Sequence, residues 1–283
     1  MKKYYLLSIA MITIMISCKK NLPGHVNRTM PVSIVNINQK LTEVSKTNGA
    51  IPSIVLVGGF GSELFTWKNL YEAITPGAAI FTYNRAGIGA SENIAGTRDA
   101  RTIAAELKTV LEVNDIRPPY VLVAHSMGGI YARMFYHLYP DVVKGMVLID
   151  ATHENQIDSL LSMLPLPERD MAYAGMVAAN DSILNTYSEG SVKEEFRANF
   201  AVNYTQIRQF PPITAIPMYV ITSTRVTDTT PSFIVDIQKR LHQQWAISAG
   251  INGKFVATER SGHFIQVEEP GLVAEGIRWV LSK

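Results

Sequence analysis

The chain has 283 residues, 47% of them hydrophobic and 18% charged, a balance that buries a large core and excludes intrinsic disorder. Its 26 lysines and arginines stand against 24 aspartates and glutamates, so there is no basic footprint for a phosphate backbone and nucleic-acid binding is not expected. The single cysteine, Cys18, excludes an internal disulfide, an iron–sulfur cluster and a cysteine-based zinc site.

The amino terminus opens with Lys2 and Lys3 and carries no charge from Tyr4 to Ile16. That run is shorter than the roughly 20 apolar residues of a membrane span and fits the hydrophobic region of an export signal. It ends in Met15-Ile16-Ser17-Cys18, which resembles the lipobox of bacterial lipoproteins, with Met15 where leucine is more usual. In that family the cysteine becomes the lipidated first residue of the mature chain. The resemblance implies a signal peptide over 1–17, a tether over 18–29, and an exported protein of the cell envelope held at a bacterial membrane by acyl chains on Cys18. Several chains on one residue anchor stably where one is marginal. The alternatives are a secretory signal cut nearby or a short membrane anchor.

Residues 32–37 alternate apolar and polar side chains, 41–45 do so more weakly, and Asn48-Gly49 follows as a turn. The β-branched run 53–57 predicts a strand buried on both faces. A helix is expected over 67–74 and a strand over 79–83. Ile103, Leu107, Val110 and Leu111 recur at helical spacing within 102–113. Further strands are predicted at 120–124, 143–149, 218–222 and 254–258. Further helices are predicted at 127–138, 232–247 (opened by Pro231) and 269–281, with Pro270 in its first turn. Such alternation specifies an α/β fold, a mostly parallel twisted sheet with helices on both faces and its chemistry outside the carboxyl ends of the strands. From 152 to 212 the alternation stops, and helical patterns at 157–164, 168–179 and 192–207 predict an inserted helical lid. The core then comprises 30–151 and 213–283.

The strongest chemical signal is Ala124-His125-Ser126-Met127-Gly128-Gly129, between a buried strand and a helix. A serine on such a strand-to-helix turn presents its hydroxyl above the sheet. The turn demands small residues two before and two after it. Gly128 satisfies this fully, and Ala124 replaces the usual glycine. Serine alone is a poor nucleophile and needs a base. Of the six histidines, His25 lies in the tether, and His125 adjoins the serine and is expected to point away. His137 and His242 lie within helices, where a satisfied histidine is the ordinary case. His153, with Glu154, sits at the lid base, where a hydrogen bond is favoured over a substrate contact. His263 differs, because Ser261-Gly262-His263-Phe264 forms a loop just past the last strand, and the glycine frees the histidine to swing towards a neighbouring strand end.

Over nearly all of 30–283 the chain resembles the α/β-hydrolase superfamily. Four motifs occur in its order: Gly58-Gly59-Phe60-Gly61, then Tyr83-Asn84-Arg85-Ala86-Gly87-Ile88-Gly89-Ala90-Ser91, then the Ser126 turn, then Gly262-His263-Phe264 leading to Pro270. The resemblance implies Ser126 as nucleophile, His263 as base, and an oxyanion hole made by the backbone N–H groups of Phe60 and Met127. Gly58-Gly59 stands where relatives often have His-Gly, so a side-chain brace is lost but the backbone donor is kept. The second motif matches the family's Asp-Arg-x-Gly-x-Gly-x-Ser loop with Asn84 in place of the acid, and we take it as a turn buttressing the site. The triad acid has two candidates. Asp228 follows the penultimate strand, the commoner location. Asp150 ends the strand before the lid, where its ordinary role would be a cap. Asp150 is preferred, although both satisfy the chain order Ser…Asp…His.

These residues point to hydrolysis through an acyl-enzyme. A serine nucleophile argues against the epoxide hydrolases and haloalkane dehalogenases of the superfamily, which use aspartate there. The apolar lid favours a small or medium lipophilic ester. The alternatives are a ligand-binding protein or sensor that kept the triad, and a cofactor-free perhydrolase. No nucleotide fingerprint or metal-ligand cluster is visible, so no cofactor is expected, and oligomeric state carries no signature.

Overall fold

The centre of the molecule is built from strands whose side chains alternate between two buried layers. In the computed structural model, which describes residues 30–74 and 77–283, these are β3 (Ala50–Val57), β4 (Ala78–Tyr83), β5 (Tyr120–His125), β6 (Val143–Ile149) and β7 (Met218–Ser223). Val55, Val57, Phe81, Leu122, Leu148 and Val220 enter one apolar cluster, while Ile54, Leu56, Ile80, Val123, Ile149 and Ile221 enter the other. This is the period of two that a pleated strand imposes. A sheet apolar on both faces must be covered on both. Helices α1 (Lys68–Ala73) and α10 (Pro270–Leu281) cover the Ile54 face. Helices α2 (Ala100–Val113), α3 (Gly128–Leu138) and α8 (Ser232–Ser248) cover the other. The signal-peptide, tether and Cys18 expectations lie outside the described residues.

With β1 (Val32–Ile37), β2 (Lys40–Thr47) and β8 (Gly253–Thr258), the sheet has eight strands in the order β1-β2-β4-β3-β5-β6-β7-β8. It is parallel from β4 through β8, and β2 pairs antiparallel with both β1 and β4. The α/β architecture expected from the alternation is therefore present. The β1–β2 hairpin closes through Asn38 and Gln39, both at positive φ (52° and 65°), the geometry a two-residue hairpin turn needs. Asn48-Gly49 instead carries the chain from β2 across to β3, so it is a crossover rather than a hairpin.

Between β6 and β7 the chain forms α4 (Gln156–Leu161), α5 (Leu166–Leu184), α6 (Ser191–Ala198) and α7 (Phe200–Ile207). The pattern over 192–207 resolves into two helices because Asn199 (φ −38°, ψ −102°) leaves helical geometry. The predicted start of α2 moves back from 102 to Ala100, where Asp99 accepts a hydrogen bond from the Thr102 N–H at 2.9 Å as N-cap. A short helix before the last one, α9 (Ile265–Glu268), had no pattern of its own. Among the described residues no helix is long and apolar enough to cross a membrane.

Helix α3 starts against the end of β3. A Cβ placed on Gly128 would lie 2.3 Å from the carbonyl oxygen of Val57 and 2.8 Å from that of Gly58, so only glycine permits this approach. Gly128→Ala is expected to destabilise the protein by about 1–3 kcal/mol, the range for forcing an extra carbon into packed surroundings. A fall in the urea midpoint with an unchanged m-value would show it.

Candidate active site

Ser126 sits between β5 and α3 with φ 53°, a left-handed conformation costly for a residue with a side chain. Three backbone hydrogen bonds hold it there. Its N–H donates to Ile149 O at 3.1 Å, and its carbonyl accepts from Gly129 N and Thr152 N, each at 2.9 Å. Asp150, one residue past β6, is also left-handed (φ 41°) and donates its N–H to Ile221 O at 2.8 Å. Two adjacent strands thus end in strained turns locked to their neighbours, which brings their side chains to one edge of the sheet.

His263 meets Asp150 there, with Nδ1 2.7 Å from Oδ2. The other carboxylate oxygen accepts from the Ser223 N–H at 3.0 Å and from Gln238 Nε2 at 2.7 Å. Burial alone would raise the pKa of Asp150, but the hydrogen bond from His263, the electrostatic pull of the His263 and His242 imidazoles, and the Ser223 N–H hold it below the ordinary carboxylate value. Because an ionised carboxylate only accepts, Nδ1 of His263 carries the hydrogen and Nε2 is left as the basic nitrogen. That Nε2 is buried and has no hydrogen-bond partner among the described residues. Asp228, the other candidate acid, is exposed in the loop 224–231; the structure brings Asp150, and not Asp228, to His263.

The sequence-predicted oxyanion donors lie beside the serine. A Cβ built on Gly59 would fall 3.0 Å from Ser126 Cβ and 3.4 Å from His125 Nδ1, so the Gly58–Gly61 turn is in contact with the Ser126 turn. Phe60 and Met127 are both buried, and among the described residues neither donates its backbone N–H to a protein acceptor. Unspent buried donors are uncommon and suit a site for developing negative charge. The Phe60 ring packs on Phe196 (centroids 5.4 Å apart) and Tyr187 (6.0 Å), so the inserted helices cover this turn.

The second motif buttresses that turn through side chains. Asn84 Oδ1 accepts from the Leu64 N–H at 2.6 Å while its Nδ2 donates to Glu43 Oε2 at 2.6 Å. An amide can donate and accept at once, which an aspartate at this place could not do. Arg85 donates to Gly58 O (2.8 Å) and Gly59 O (2.6 Å) and pairs with Glu195 of α6.

Of the other histidines, His125 departs from expectation. Its ring faces His263 at 4.6 Å, and Nε2 donates to the His263 carbonyl at 2.9 Å, so it braces the loop that carries His263. Burial, then the neighbouring His263, lowers its pKa to about 3, and it is neutral at physiological pH. His242 is bonded at both nitrogens, to Thr222 Oγ1 and to Ala151 O, each at 2.6 Å. His153 accepts from the Asn155 N–H at 3.1 Å and stacks on Trp245 at 4.5 Å, while Glu154 pairs with Arg133 at 2.7 Å. The hydrogen bonding expected for this pair, rather than an open contact surface, is what the structure contains. Ser223, Gln238 and Glu195 had no local motif to mark them. Among the described residues no three His, Cys, Asp or Glu side chains group so that they could hold a metal ion.

A sequence model of the Alpha/beta hydrolase family matches residues 54–276, and the chain belongs to that family. It is 38% identical over 98 residues to the uncharacterized protein YqjL of Bacillus subtilis (strain 168), a match covering 35% of this chain and 39% of that relative. The chain therefore spans about two fifths of the relative's length. Its fold is similar to a bromoperoxidase from Bacillus anthracis (TM-score 0.61, 16% identity, 89% of this chain and 100% of that one). It is likewise similar to a thermophilic esterase from Thermogutta terrifontis (TM-score 0.60, 18% identity, 89% and 98%).

The buried neutral histidines make stability depend on pH. Burial is the first cause of the lowered pKa of His125 (about 3), His153 (about 3) and His242. In the unfolded chain each titrates near about 6.5, so below that pH the unfolded state binds more protons. Their contribution is complete above pH 6.5 and is lost as pH falls towards the folded values, by up to about 1.4 kcal/mol per pH unit for each histidine. Urea midpoints should be level from pH 8 to 7 and fall steeply between pH 6 and 5; a flat profile would mean these imidazoles are already protonated in the fold.

Proposed function

We propose that this protein is a serine hydrolase that cleaves a small or medium, lipophilic carboxylic ester through an acyl-enzyme intermediate. The observation that carries the reading is the buried, unpartnered Nε2 of His263, backed at Nδ1 by Asp150 and set at the edge of the sheet where Ser126 turns out of β5. In this mechanism Ser126 Oγ attacks the ester carbonyl and its proton passes to His263 Nε2. The Phe60 and Met127 N–H groups receive the oxyanion, and Asp150 stabilises the imidazolium without taking the proton. Collapse of the tetrahedral intermediate breaks the bond to the alkoxy group, which leaves with the proton from His263. Water, deprotonated by the same nitrogen, then attacks the acyl-serine, and His263 passes that proton to the departing Ser126 Oγ as the acid is released. Helices α4–α7 act as a lid, and the Phe60–Tyr187–Phe196 aromatic group supports a lipophilic substrate. The thermophilic esterase of similar fold is consistent with this reaction class.

The bromoperoxidase of similar fold favours one second reading, a cofactor-free perhydrolase, in which hydrogen peroxide replaces water as the acceptor of the acyl group. A hydrogen-peroxide-dependent product in place of the free acid would distinguish it.

A fluorophosphonate probe should add once to the protein, at Ser126, as read by intact mass and peptide mapping, and Ser126→Ala should abolish both the adduct and turnover. A folded protein that takes no adduct would favour the ligand-binding alternative. Asp150→Asn should lower kcat by at least about 100-fold, in line with losses on neutralising a triad acid, while Asp228→Asn should stay within a few fold of wild type.

We also propose that the protein is exported and anchored to a bacterial membrane through Cys18. Cys18→Ala is expected to move it from the membrane to the soluble fraction, and unchanged partitioning would count against lipidation.

A further inference from the structure

Glu195 lies on α6 with its side chain only 1% exposed, and it forms a two-point ion pair with Arg85, Oε2 to Nε at 3.0 Å and Oε1 to Nη2 at 2.6 Å. A third donor, the Tyr131 hydroxyl, reaches Oε1 at 3.2 Å. An isolated buried carboxylate is costly, and this one is matched by a fork of donors. The arginine does not end at the ion pair. Its Nη1 donates to Gly58 O at 2.8 Å and its Nη2 to Gly59 O at 2.6 Å.

The Gly59 carbonyl and the Phe60 N–H belong to one peptide unit. That unit is planar and trans, so its C=O and N–H point in opposite directions. Fastening the oxygen to a guanidinium on one side fixes the N–H on the other and, by polarising the amide, strengthens it as a donor. The same helix also grips Phe60 by its ring, through Phe196, the residue after Glu195. It is pinned at its amino end as well, where the Ser191 N–H donates to Asn93 Oδ1 at 2.8 Å and Ser191 Oγ accepts from the Ile94 N–H at 2.8 Å.

We propose that Glu195 is a positioning residue for the oxyanion hole: through Arg85, and alongside the 3.2 Å hydrogen bond from the Ser62 N–H to Gly59 O, it sets the Gly59–Phe60 peptide, so that the Phe60 N–H is fully aimed when α6 is seated. The inference rests on the acyl-enzyme reading above. It makes closure of the inserted helices a condition of full oxyanion stabilisation and not merely a cover over the substrate.

The test compares wild type, Glu195→Gln and the paired Arg85→Met/Glu195→Leu variant, all as the full protein. The first removes the charge at nearly constant shape. The second removes the whole pair, a change that leaves no lone buried charge and that proteins often tolerate. The readouts are kcat and KM for p-nitrophenyl butyrate, the rate of Ser126 phosphonylation, and the affinity of benzeneboronic acid, which mimics the tetrahedral state. Loss of one oxyanion donor lowers kcat by about 100–1,000-fold in other hydrolases, and misaiming it should cost part of that. The expected result is a 10- to 100-fold fall in kcat, in phosphonylation rate and in boronate affinity together, with KM within threefold of wild type. Wild-type kcat and boronate affinity in either folded variant would overturn the proposal. So would equal changes in KM and kcat, or loss of folding in both variants, since each assigns the pair to the fold alone. If wild-type protein itself takes no fluorophosphonate, the hydrolase reading fails first and takes this inference with it.

Discussion

Asp150 stands at a point where the backbone is left-handed and three donors converge on one buried carboxylate: the Ser223 N–H of β7, Gln238 of α8 and His263 beyond β8. Each donor comes from a different element, so the carboxylate joins the ends of β6 and β7 to a helix on one face and to the last loop. A charge taken out of water is stable only if its acceptor capacity is filled. Filling it here requires all four elements in register. The geometry of the candidate site and the closure of this part of the fold are therefore one constraint.

The Ser126 turn depends on the same edge. Its N–H bonds to Ile149, the residue before Asp150, and its carbonyl accepts from Thr152, two beyond it. Local backbone strain of about 1–3 kcal/mol at each left-handed residue persists because the surrounding bonds over-determine it. Behind the turn, the glycine start of α3 presses on β3, and in front of it Gly59 presses on Ser126. The two close approaches bring the Phe60 and Met127 segments, whose backbone N–H groups have no protein acceptor among the described residues, up against the Ser126 turn. Preorganised donors of this kind need no rearrangement when charge develops.

The inserted helices join this arrangement through polar contacts as much as apolar ones. Two ion pairs, one buried and one half-buried, tie them to the core: Glu195 of α6 to Arg85, and Glu154, before α4, to Arg133. Trp245 lies under the second, with the Arg133 guanidinium 4.5 Å from its ring and His153 stacked on it. Buried charge pairs contribute little net stability but penalise every arrangement that separates them. They thus fix where the insertion sits rather than how strongly it is held.

The sequence by itself determined the α/β alternation, the two-sided burial of the central strands, the turn that carries Ser126 and the loop that carries His263. Each is written in a few consecutive residues, as a period of two or 3.6 or as the small side chains a tight turn demands. It narrowed the partner of His263 to two aspartates. It did not reveal that the ring of His125 faces His263, that Asn199 breaks the helical run over 192–207, or that Glu195 answers Arg85. Those outcomes were decided by the tertiary structure, because pairing across about a hundred residues depends on which strand ends and helix faces converge. No local pattern records that convergence; a buried charge or donor takes whichever partner the packing brings within reach.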